Sequence, residues 1–233
     1  MTNGPFTLAI DVGGTGLKAS VLDAAGQLAA DRVRVKTPHP IDPPLLVDTL
    51  AKLVTPLPPF DRVSVGFPGV VRDGIIRTAP NLDTEAFRGF NLAEALEQRL
   101  GKPTRVLNEA DMQGYAAIRG EGIEMVITLG TGFGTAMFLN GALGPHLELA
   151  HHPFHKSSTY EEELGEGGRK KLGKKKWHRR VEAAIEELRK LTNFDHLYIG
   201  GGNAKKLELE LPPDVSLVDN TAGILGGIKL WGH

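Results

Sequence analysis

Two short apolar runs near the start of the chain are separated by a cluster of glycines. The runs cover residues 8–12, which are apolar apart from Asp11, and residues 17–22, which are apolar apart from Lys18 and Ser20. Apolar runs on both sides of a glycine-rich turn predict a β-hairpin. A similar pattern occupies residues 125–139, where Gly132 follows Gly14 by 118 residues. The repeated hairpin predicts two related half-domains.

The rest of the chain alternates between short β-type runs and longer stretches with helical spacing. Asp42 precedes two prolines and a helically spaced apolar run, which is typical of a helix N-terminus. Asn91 and Glu94 form a capping-box start, and Gly101 is the matching stop. Strands are predicted at residues 27–35, 62–67, 75–76, 104–107, 196–199 and 215–218. Helices are predicted at residues 42–54, 91–101, 108–119 and 220–230, and a helical region at 160–191 is predicted to break near Gly167, Gly168 and Gly173.

The composition excludes several classes of protein but does not indicate a particular function. The 233 residues suffice for one large domain or two small ones, and 41% apolar with 24% charged residues is ordinary for a soluble globular protein. The net charge of −1 provides no general attraction to nucleic acid. The absence of cysteine excludes disulfides and Cys-ligated zinc. No apolar run approaches the roughly 20 residues of a membrane helix, and no signal peptide is recognisable, so we expect a cytoplasmic protein without membrane or nucleic-acid partners.

The glycine-rich turns are candidate phosphate-binding elements. Glycine allows the backbone to approach an anion closely and to point its N–H groups at it. Asp11, at the end of the first strand, is suited to a metal ion or metal-bound water that accompanies phosphate. A single such turn is equally compatible with a purely structural hairpin, whereas two copies favour a phosphate site.

A second group of polar residues follows the strand predicted at 104–107. Asn108, Glu109 and Asp111 open the next helix. Polar residues at the carboxyl end of a buried strand are where α/β folds place ligand sites. We therefore expect these side chains to contribute to a functional site.

These segments, in this order, resemble the motifs of the ROK family of sugar kinases, and most closely its polyphosphate glucokinase branch. Residues 11–16 and 129–134 resemble the two phosphate motifs, and residues 200–202 resemble the adenosine motif. Residues 148–151 resemble the sugar signature E-x-G-H, with Ala150 in place of glycine. The remaining matches are residues 78–83, which resemble a sugar-binding loop, and Ala222-Gly223, which resembles a connecting helix.

The resemblance implies an α/β protein with the two-lobed actin-like ATPase (ribonuclease H-like) fold and a mixed sheet in each lobe. The N-terminal lobe would comprise residues 1–107, joined by a C-terminal helix at 220–233. The C-terminal lobe would comprise residues 108–219. Members of the family usually form homodimers.

The activity implied by the resemblance is transfer of a terminal phosphoryl group from polyphosphate, ATP or both to the 6-hydroxyl of glucose, with Mg²⁺ held through the phosphates and by Asp11. The sugar ligands by matched position are Asn81, Asn108, Glu148, His151 and Glu161. The phosphate and nucleotide ligands by matched position are Asp11, Gly13, Gly14, Thr15, Gly16, Thr131, Gly132, Gly200, Gly201 and Gly202.

The catalytic base is where this sequence departs from the family. The family has aspartate directly after the strand-end asparagine, whereas this chain has Glu109 there and Asp111 two residues later. Glutamate has the same chemistry with one more methylene, and near-attack geometry tolerates little misplacement. Motif register favours Glu109 as the base. The alternatives are that Asp111 has taken over, that activity is lost, or that Glu109 only favours the positive end of the helix.

His151, His152 and His155 lie close together and, with Glu148, offer enough ligands for a metal ion on paper. Many members of the family hold structural zinc with this histidine and three cysteines. Because this chain has no cysteine, we expect no zinc site and favour sugar binding and loop packing.

A basic run covers residues 169–180, with eight Lys and Arg in twelve residues. One interpretation is a solvated helix face that is balanced by the acidic residues at 161–166. The other is a track for a polyanion such as polyphosphate, because charges along one helix match phosphates along a chain. The residues of this track would be Lys174, Lys175, Lys176 and Arg179.

Two other functions remain open at the level of sequence. The departure at Glu109 is compatible with a non-catalytic, sugar-binding or regulatory member of the family. A kinase for another hexose would carry the same motifs.

Overall fold

The computed structural model describes residues 4–218 and 226–232, and the chain divides into two compact units. The first unit comprises Met1–Ala116 with Gly223–His233, and the second comprises Ala117–Ala222. Asn108 and the residues that follow it up to Ala116 therefore belong with the first unit. Compactness alone does not define a functional lobe, so the predicted lobe boundaries stay a prediction.

The first unit contains seven strands and four α-helices among the described residues. The strands are β1 (Thr7–Val12), β2 (Gly16–Leu22), β3 (Val33–Lys36), β4 (Arg62–Phe67), β5 (Val71–Arg72), β6 (Ile75–Ile76) and β7 (Thr104–Asn108). The helices are α1 (Pro43–Val54), α2 (Thr84–Phe87), α3 (Leu92–Leu100) and α4 (Glu109–Ala117), whose last residue is the first of the second unit.

Five of these strands form a mixed sheet in the order β3-β2-β1-β4-β7. β1 pairs antiparallel with β2 and parallel with β4, and β4 pairs parallel with β7. Leu8, Ile10 and Val65 in the central strands are fully buried, which explains the continuous apolar runs. The parallel strands end at the same edge, and this edge carries Asp11 and Asn108.

The predicted caps of α1 and α3 are confirmed, whereas α2, which is capped by Asp83, was not predicted. The Asp42 side chain accepts a hydrogen bond from the Leu45 amide at 2.8 Å, with proline in the first turn of α1. The Asn91 side chain accepts one from the Glu94 amide at 3.1 Å, and Gly101 ends α3 at a φ of 67°. Such caps satisfy amides and carbonyls that have no partner within the helix.

The second unit contains seven further strands and three α-helices among the described residues. The strands are β8 (Ile123–Leu129), β9 (Phe133–Leu139), β10 (Ala142–Leu143), β11 (Pro153–His155), β12 (Ser158–Thr159), β13 (His196–Gly200) and β14 (Val215–Leu217). The helices are α5 (Tyr160–Leu164), α6 (Glu166–Leu172) and α7 (Lys174–Thr192). Two short 3₁₀ helices cover Leu149–His151 and Ala204–Lys206.

The sheet of the second unit has the same plan as the sheet of the first. Its order is β10-β9-β8-β13-β14, with antiparallel pairs on the hairpin side and parallel pairs beyond β8. The helix α7 covers this sheet with a buried face that includes Trp177, Val181 and Leu188. The predicted repeat and the predicted mixed sheet in each half are confirmed.

Two predicted elements differ from those observed. The third strand is β3, which begins at Val33 and ends at Lys36, whereas 27–35 was predicted. The start of the predicted range lies in a tight turn, in which Asp23 accepts from the amides of Ala25 and Gln27 at 2.9 Å each. The helical region first breaks at Gly165 and not at Gly167 or Gly168, which lie inside α6. Gly165 is extended, and a Cβ there would lie 2.9 Å from the Thr131 carbonyl oxygen.

The described part of the C-terminal segment is a 3₁₀ helix, Gly226–Trp231, where an α-helix over 220–230 was predicted. It packs on the first sheet, where the Gly227 carbonyl accepts from the Ser64 hydroxyl at 2.6 Å. The Trp231 indole donates to the same hydroxyl at 2.9 Å. A Cβ at Gly227 would lie 3.2 Å from that of Ala9, which favours glycine at this crossing. The Ala222-Gly223 match lies outside the described residues.

Within the residues that the structure describes, no helix is both long and apolar enough to cross a membrane.

Candidate functional site

The first glycine turn, between β1 and β2, is braced through its carbonyl groups. The Gly13 amide donates to the Gly16 carbonyl at 3.0 Å. The Thr37 hydroxyl donates to the Gly13 carbonyl at 2.6 Å, and the His39 Nε2 lies 2.7 Å from the Gly14 carbonyl oxygen. The segment that follows β3 therefore holds the turn in place through hydrogen bonds.

An ion pair lies beside this turn. Asp11 and Lys18 face each other across β1 and β2, and the Lys18 Nζ lies 2.8 Å from an Asp11 Oδ. The Asp11 side chain is 23% exposed and that of Lys18 is 44% exposed, so both remain accessible to a ligand. A cation next to a phosphate-type turn adds to the attraction for an anion.

Glu109 reaches the same edge of the sheet as the first residue of α4. Asp11 pairs with Gly66 across β1 and β4, and a Cβ at Gly66 would lie only 3.4 Å from the Glu109 Cα. The small residue at this position allows the start of α4 to pack directly on β4. Glu109 and Asp11 are therefore close enough to influence each other's charge.

The Glu109 carboxyl is accessible to solvent and has a raised pKa. Its side chain is exposed, but the protein around it displaces much of the surrounding water. This desolvation, with repulsion from Asp11, raises the pKa of Glu109 to about 7, and Lys18 opposes the rise. A carboxylate with this pKa is well suited to accept a proton at neutral pH.

Asn108 and Asp111 are less accessible than Glu109. Asn108 is buried, donates to the Gly69 carbonyl at 2.9 Å and accepts from the Ala110 amide at 2.7 Å. One amide hydrogen of Asn108 remains for a ligand. Asp111 is 4% exposed within the first turn of α4. The geometry therefore favours Glu109 over Asp111 as the base.

The predicted sugar loop packs against the first glycine turn. The Val70 amide donates to the Thr78 hydroxyl at 3.0 Å, and this contact holds the loop next to the end of β4. A Cβ at Gly14 would lie 3.0 Å from both the Cβ and the carbonyl oxygen of Asn81. The structure thus brings Asn81, the first turn, Asn108 and Glu109 together within the first unit, and Asn81 is exposed.

The second glycine turn, between β8 and β9, is braced by different residues. The Gly130 amide donates to the Gly132 carbonyl at 3.1 Å. The Gly130 carbonyl accepts from the Asn203 side chain at 3.0 Å and from the Glu166 amide at 2.9 Å. The Glu166 amide also lies 3.3 Å from the Thr131 carbonyl oxygen.

Glu161 lies against this second turn. A Cβ at Gly132 would collide with the Glu161 carboxylate, which places a predicted sugar ligand directly beside a predicted phosphate ligand. Thr131, Gly132 and Glu161 are therefore brought together within the second unit.

The other two predicted sugar ligands of the second unit lie at a short 3₁₀ helix. Glu148 precedes this helix and His151 ends it, and both residues are exposed. Glu148 faces His146, with 3.6 Å between the Glu148 Oε2 and the His146 Nε2. In the described part of the chain, no group of three or more His, Asp or Glu residues has a geometry that could hold a metal ion.

The triple glycine at the end of β13 packs against the second turn. Gly201 has a φ of 88°, and a Cβ there would collide with the Leu129 backbone. The Asn203 amide donates to the Leu129 carbonyl at 2.8 Å. This close approach accounts for glycine at Gly201, and nucleotide binding by Gly200 and Gly202 stays a prediction.

The basic run lies on two helices, α6 and α7, and not along one, because Gly173 separates them with a φ of 71°. Half of its cations have carboxylate partners: Arg169 and Lys170 with Glu166, Lys174 with Glu208, and Arg180 with Glu163. The remaining cations are exposed and make no ion pair with another described residue: Lys171, Lys175, Lys176 and Arg179.

Several residues that shape the site lie outside every motif recognised in the sequence. Lys18 was detectable, because it follows Asp11 across a hairpin at the spacing of a cross-strand pair. Thr37, His39, Glu166 and Asn203 reach the turns from distant segments, which no local pattern reveals.

Comparison with known proteins agrees with this arrangement. The model of the ROK family matches residues 7–165. A polyphosphate glucokinase of Mycobacterium tuberculosis is 32% identical over 93% of this chain and 88% of the relative. The crystal structure of an inorganic polyphosphate/ATP-glucomannokinase from Arthrobacter sp. strain KM superposes with a TM-score of 0.86, at 28% identity over 97% of this chain and 98% of that chain.

A ROK family glucokinase from Streptomyces griseus, solved with glucose and AMPPNP, has a TM-score of 0.78 at 20% identity, covering 97% of this chain and 98% of that chain. These neighbours have the actin-like ATPase fold, and the predicted fold class is confirmed.

Proposed function

The chain belongs to the ROK family, and on that basis we propose that it transfers the terminal phosphoryl group of polyphosphate or ATP to the 6-hydroxyl of glucose. The names of its relatives support this assignment, since one is a polyphosphate glucokinase and another a polyphosphate/ATP-glucomannokinase. Coverage of 88% and 98% of these two relatives supports extending their whole activity to this chain.

The observation that carries the proposal is the position of Glu109. Its carboxyl is exposed, has a pKa of about 7, and lies beside Asp11 and the first glycine turn. A sugar hydroxyl needs such a base to become a nucleophile. The buried Asp111 lacks this access.

The chemical step follows from these groups. The Glu109 carboxylate accepts the proton of the glucose 6-hydroxyl as the new bond forms between that oxygen and the terminal phosphorus. The bond from this phosphorus to the donor's bridging oxygen breaks, and the products are glucose 6-phosphate and a donor shorter by one phosphate. The proton then leaves Glu109 for solvent. Amides of the first glycine turn stabilise the charge on the transferring group.

Mg²⁺ fits the residues present. The ion usually binds through one or two carboxylates together with substrate phosphates, and Asp11 offers an accessible carboxylate next to the first turn. When bound, it would neutralise charge on the donor phosphates. Asp11 would hold it, and Lys18 would keep the Asp11 carboxylate oriented through their 2.8 Å contact.

We assign glucose binding to the five residues that match the family's sugar-binding motifs, and the structural support is different for each of them. Asn108 retains one amide hydrogen, and Asn81 is exposed beside Gly14. Three residues of the second unit complete the set: Glu148, His151 and Glu161. Several hydroxyls need paired donors and acceptors in fixed directions, which this mixture supplies.

For the donor, we propose that the unpaired cations of the basic run bind polyphosphate. Lys175 and Lys176 lie in the first turn of α7, where no acidic residue balances them and the helix dipole disfavours cations. A bound polyanion would remove this repulsion. Lys174 contributes less than its neighbours because Glu208 already pairs with it.

The test is glucose 6-phosphate formation by the purified chain with Mg²⁺, with polyphosphate and ATP measured in parallel. We expect product with both donors, and faster turnover with polyphosphate if the basic run serves it. Mannose should be included as a second acceptor, because the Arthrobacter relative is named a glucomannokinase. Absence of product with either donor would refute the proposal.

Two further properties follow from the family resemblance and belong to the proposal. We expect a homodimer, which sedimentation velocity tests, and a cytoplasmic location, which fractionation of the source cells tests.

A further inference from the structure

The segment after β3 holds the carbonyl groups of the first glycine turn. The Thr37 hydroxyl donates to the Gly13 carbonyl at 2.6 Å, and Thr37 is 6% exposed. The His39 Nε2 lies 2.7 Å from the Gly14 carbonyl oxygen. Because the acceptor is a carbonyl, this nitrogen carries the hydrogen.

Because each peptide group is planar, these contacts also determine where the amides of Gly14 and Thr15 point. In a trans peptide, the carbonyl of one residue and the N–H of the next point in opposite directions. With the carbonyls of Gly13 and Gly14 bound to one side, the amides of Gly14 and Thr15 face the other. Neither amide donates a hydrogen bond to any other described residue. Successive free amides of this kind form a concave site for an anion.

In the first turn, a carbonyl is bound by a residue from outside the hairpin. The first turn forms one bond across its neck, from the Gly13 amide to the Gly16 carbonyl, while the Gly13 carbonyl is occupied by Thr37. In the second turn, the carbonyl that corresponds to that of Gly13 by the 118-residue spacing belongs to Thr131, and the Glu166 amide lies 3.3 Å from its oxygen. The preceding carbonyl, that of Gly130, accepts from Asn203 and Glu166. Residues from outside the hairpin therefore occupy carbonyls in both turns.

We propose that Thr37 and His39 are positioning residues for the phosphoryl donor, which aim the amides of Gly14 and Thr15 at its phosphates. The inference rests on the proposed function and assigns a role to two residues that lie outside the sequence motifs. They act through the turn and do not touch the sugar.

The test uses Thr37→Val, which keeps the shape of the side chain and removes its hydroxyl. Loss of one hydrogen bond predicts about a fivefold rise in the KM for ATP and for polyphosphate. Glucose affinity, measured by calorimetry, should stay within twofold of the wild type. Thr37→Ser should restore the donor KM, because serine keeps the donor group.

His39 provides an independent pair of variants on an exposed side chain. His39→Ala should raise the donor KM, and His39→Gln should restore it in part, because its amide can still donate to the Gly14 carbonyl. The matched control is Thr49→Val, which removes a hydroxyl that donates to the Leu45 carbonyl within α1 at 2.6 Å, away from the turn. If Thr37→Val fails to fold, the His39 pair decides the question.

Direct binding of inorganic tripolyphosphate separates this inference from the proposed function. If the wild type makes no glucose 6-phosphate but binds tripolyphosphate, and Thr37→Val weakens that binding, the kinase proposal fails and the positioning role stands. Donor KM and tripolyphosphate affinity within twofold of the wild type in both Thr37→Val and His39→Ala would overturn the inference. An equal loss of glucose and donor affinity would also overturn it, since it indicates general damage.

Discussion

The two glycine hairpins share a sheet plan but differ in charge. At the position of Asp11 in the first hairpin the second has Leu129, by the same 118-residue spacing that relates the glycines, and Leu129 faces Phe133 across β8 and β9 where Asp11 faces Lys18. The first hairpin thus carries an ion pair where the second is apolar. Both sheets have the same strand order, so this difference arises in side chains and not in topology.

The comparison indicates that the shared sheet plan supplies the scaffold and that the side chains around each turn supply the chemistry. Each turn has braced carbonyls, but only the first has Asp11, Lys18 and Glu109 beside it. The second turn instead has Glu161 and, at the end of β13, the glycines that pack on Leu129. We therefore assign proton transfer to the first unit.

The largest expected effect comes from removing the base of the first unit. Glu109→Gln keeps the size of the side chain and cannot accept the proton, so we expect turnover to fall by about 10²–10⁴-fold. Glucose affinity should change little. The matched control is Glu97→Gln on the exposed face of α3, which should leave turnover unchanged. Unchanged turnover in Glu109→Gln would remove this residue from the mechanism.

A smaller effect, on the glucose KM, is expected when equivalent glycines of the two turns, Gly14 and Gly132, are replaced by alanine. In Gly14→Ala the new Cβ would lie 3.0 Å from the backbone carbonyl oxygen of Asn81, so the sugar loop must shift. In Gly132→Ala the obstacle is the end of the flexible Glu161 side chain. We expect the glucose KM to rise roughly tenfold in Gly14→Ala, since ~1 Å of misplacement can cost about 100-fold.

The rise in glucose KM should be smaller in Gly132→Ala, because the Glu161 carboxylate can rotate away. Steady-state kinetics on both variants checks the order, and circular dichroism checks that both are folded. A larger effect at Gly132 would mean that the second turn limits sugar binding.

The smallest effect concerns the basic run of the second unit. Neutralising Lys175 and Lys176 together should raise the KM for polyphosphate roughly three- to tenfold and leave the KM for ATP nearly unchanged. Lys52→Gln with Lys190→Gln changes net charge equally at exposed sites elsewhere and serves as the control. Equal effects on both donors would identify the run as an ordinary solvated face.

The sequence predicted the local elements of both units well, because caps and apolar periodicity are local signals. Asp42, Asn91 and Gly101 begin and end helices where their chemistry requires. The break at Gly165 was not predictable from its neighbourhood. A Cβ at Gly165 would lie 2.8 Å from the Glu161 carbonyl oxygen and 2.9 Å from that of Thr131, and the second of these is distant in sequence.

The candidate site was predictable only where motifs mark it. Asp11 and Asn108 lie at the ends of strands and Glu109 directly follows one, and all three were identified from that position. The elevated pKa of Glu109 depends on desolvation and on Asp11, which reaches it because Gly66 admits α4. Such a property requires the packing of three separate segments. The pairing of Lys174 with Glu208 likewise joins segments that the charge pattern treated as independent.

The central claim is that ionisation of Glu109, set by its neighbours in the first unit, governs turnover. The most direct test is the pH dependence of kcat/KM for glucose. We predict an acidic limb near pH 7, because the carboxylate is the active form and the pKa of Glu109 is about 7. Lys18→Met should move the limb to higher pH, since the cation favours ionisation, and Asp11→Asn should move it to lower pH. A limb near the ordinary glutamate range, or one that neither variant moves, would contradict the account.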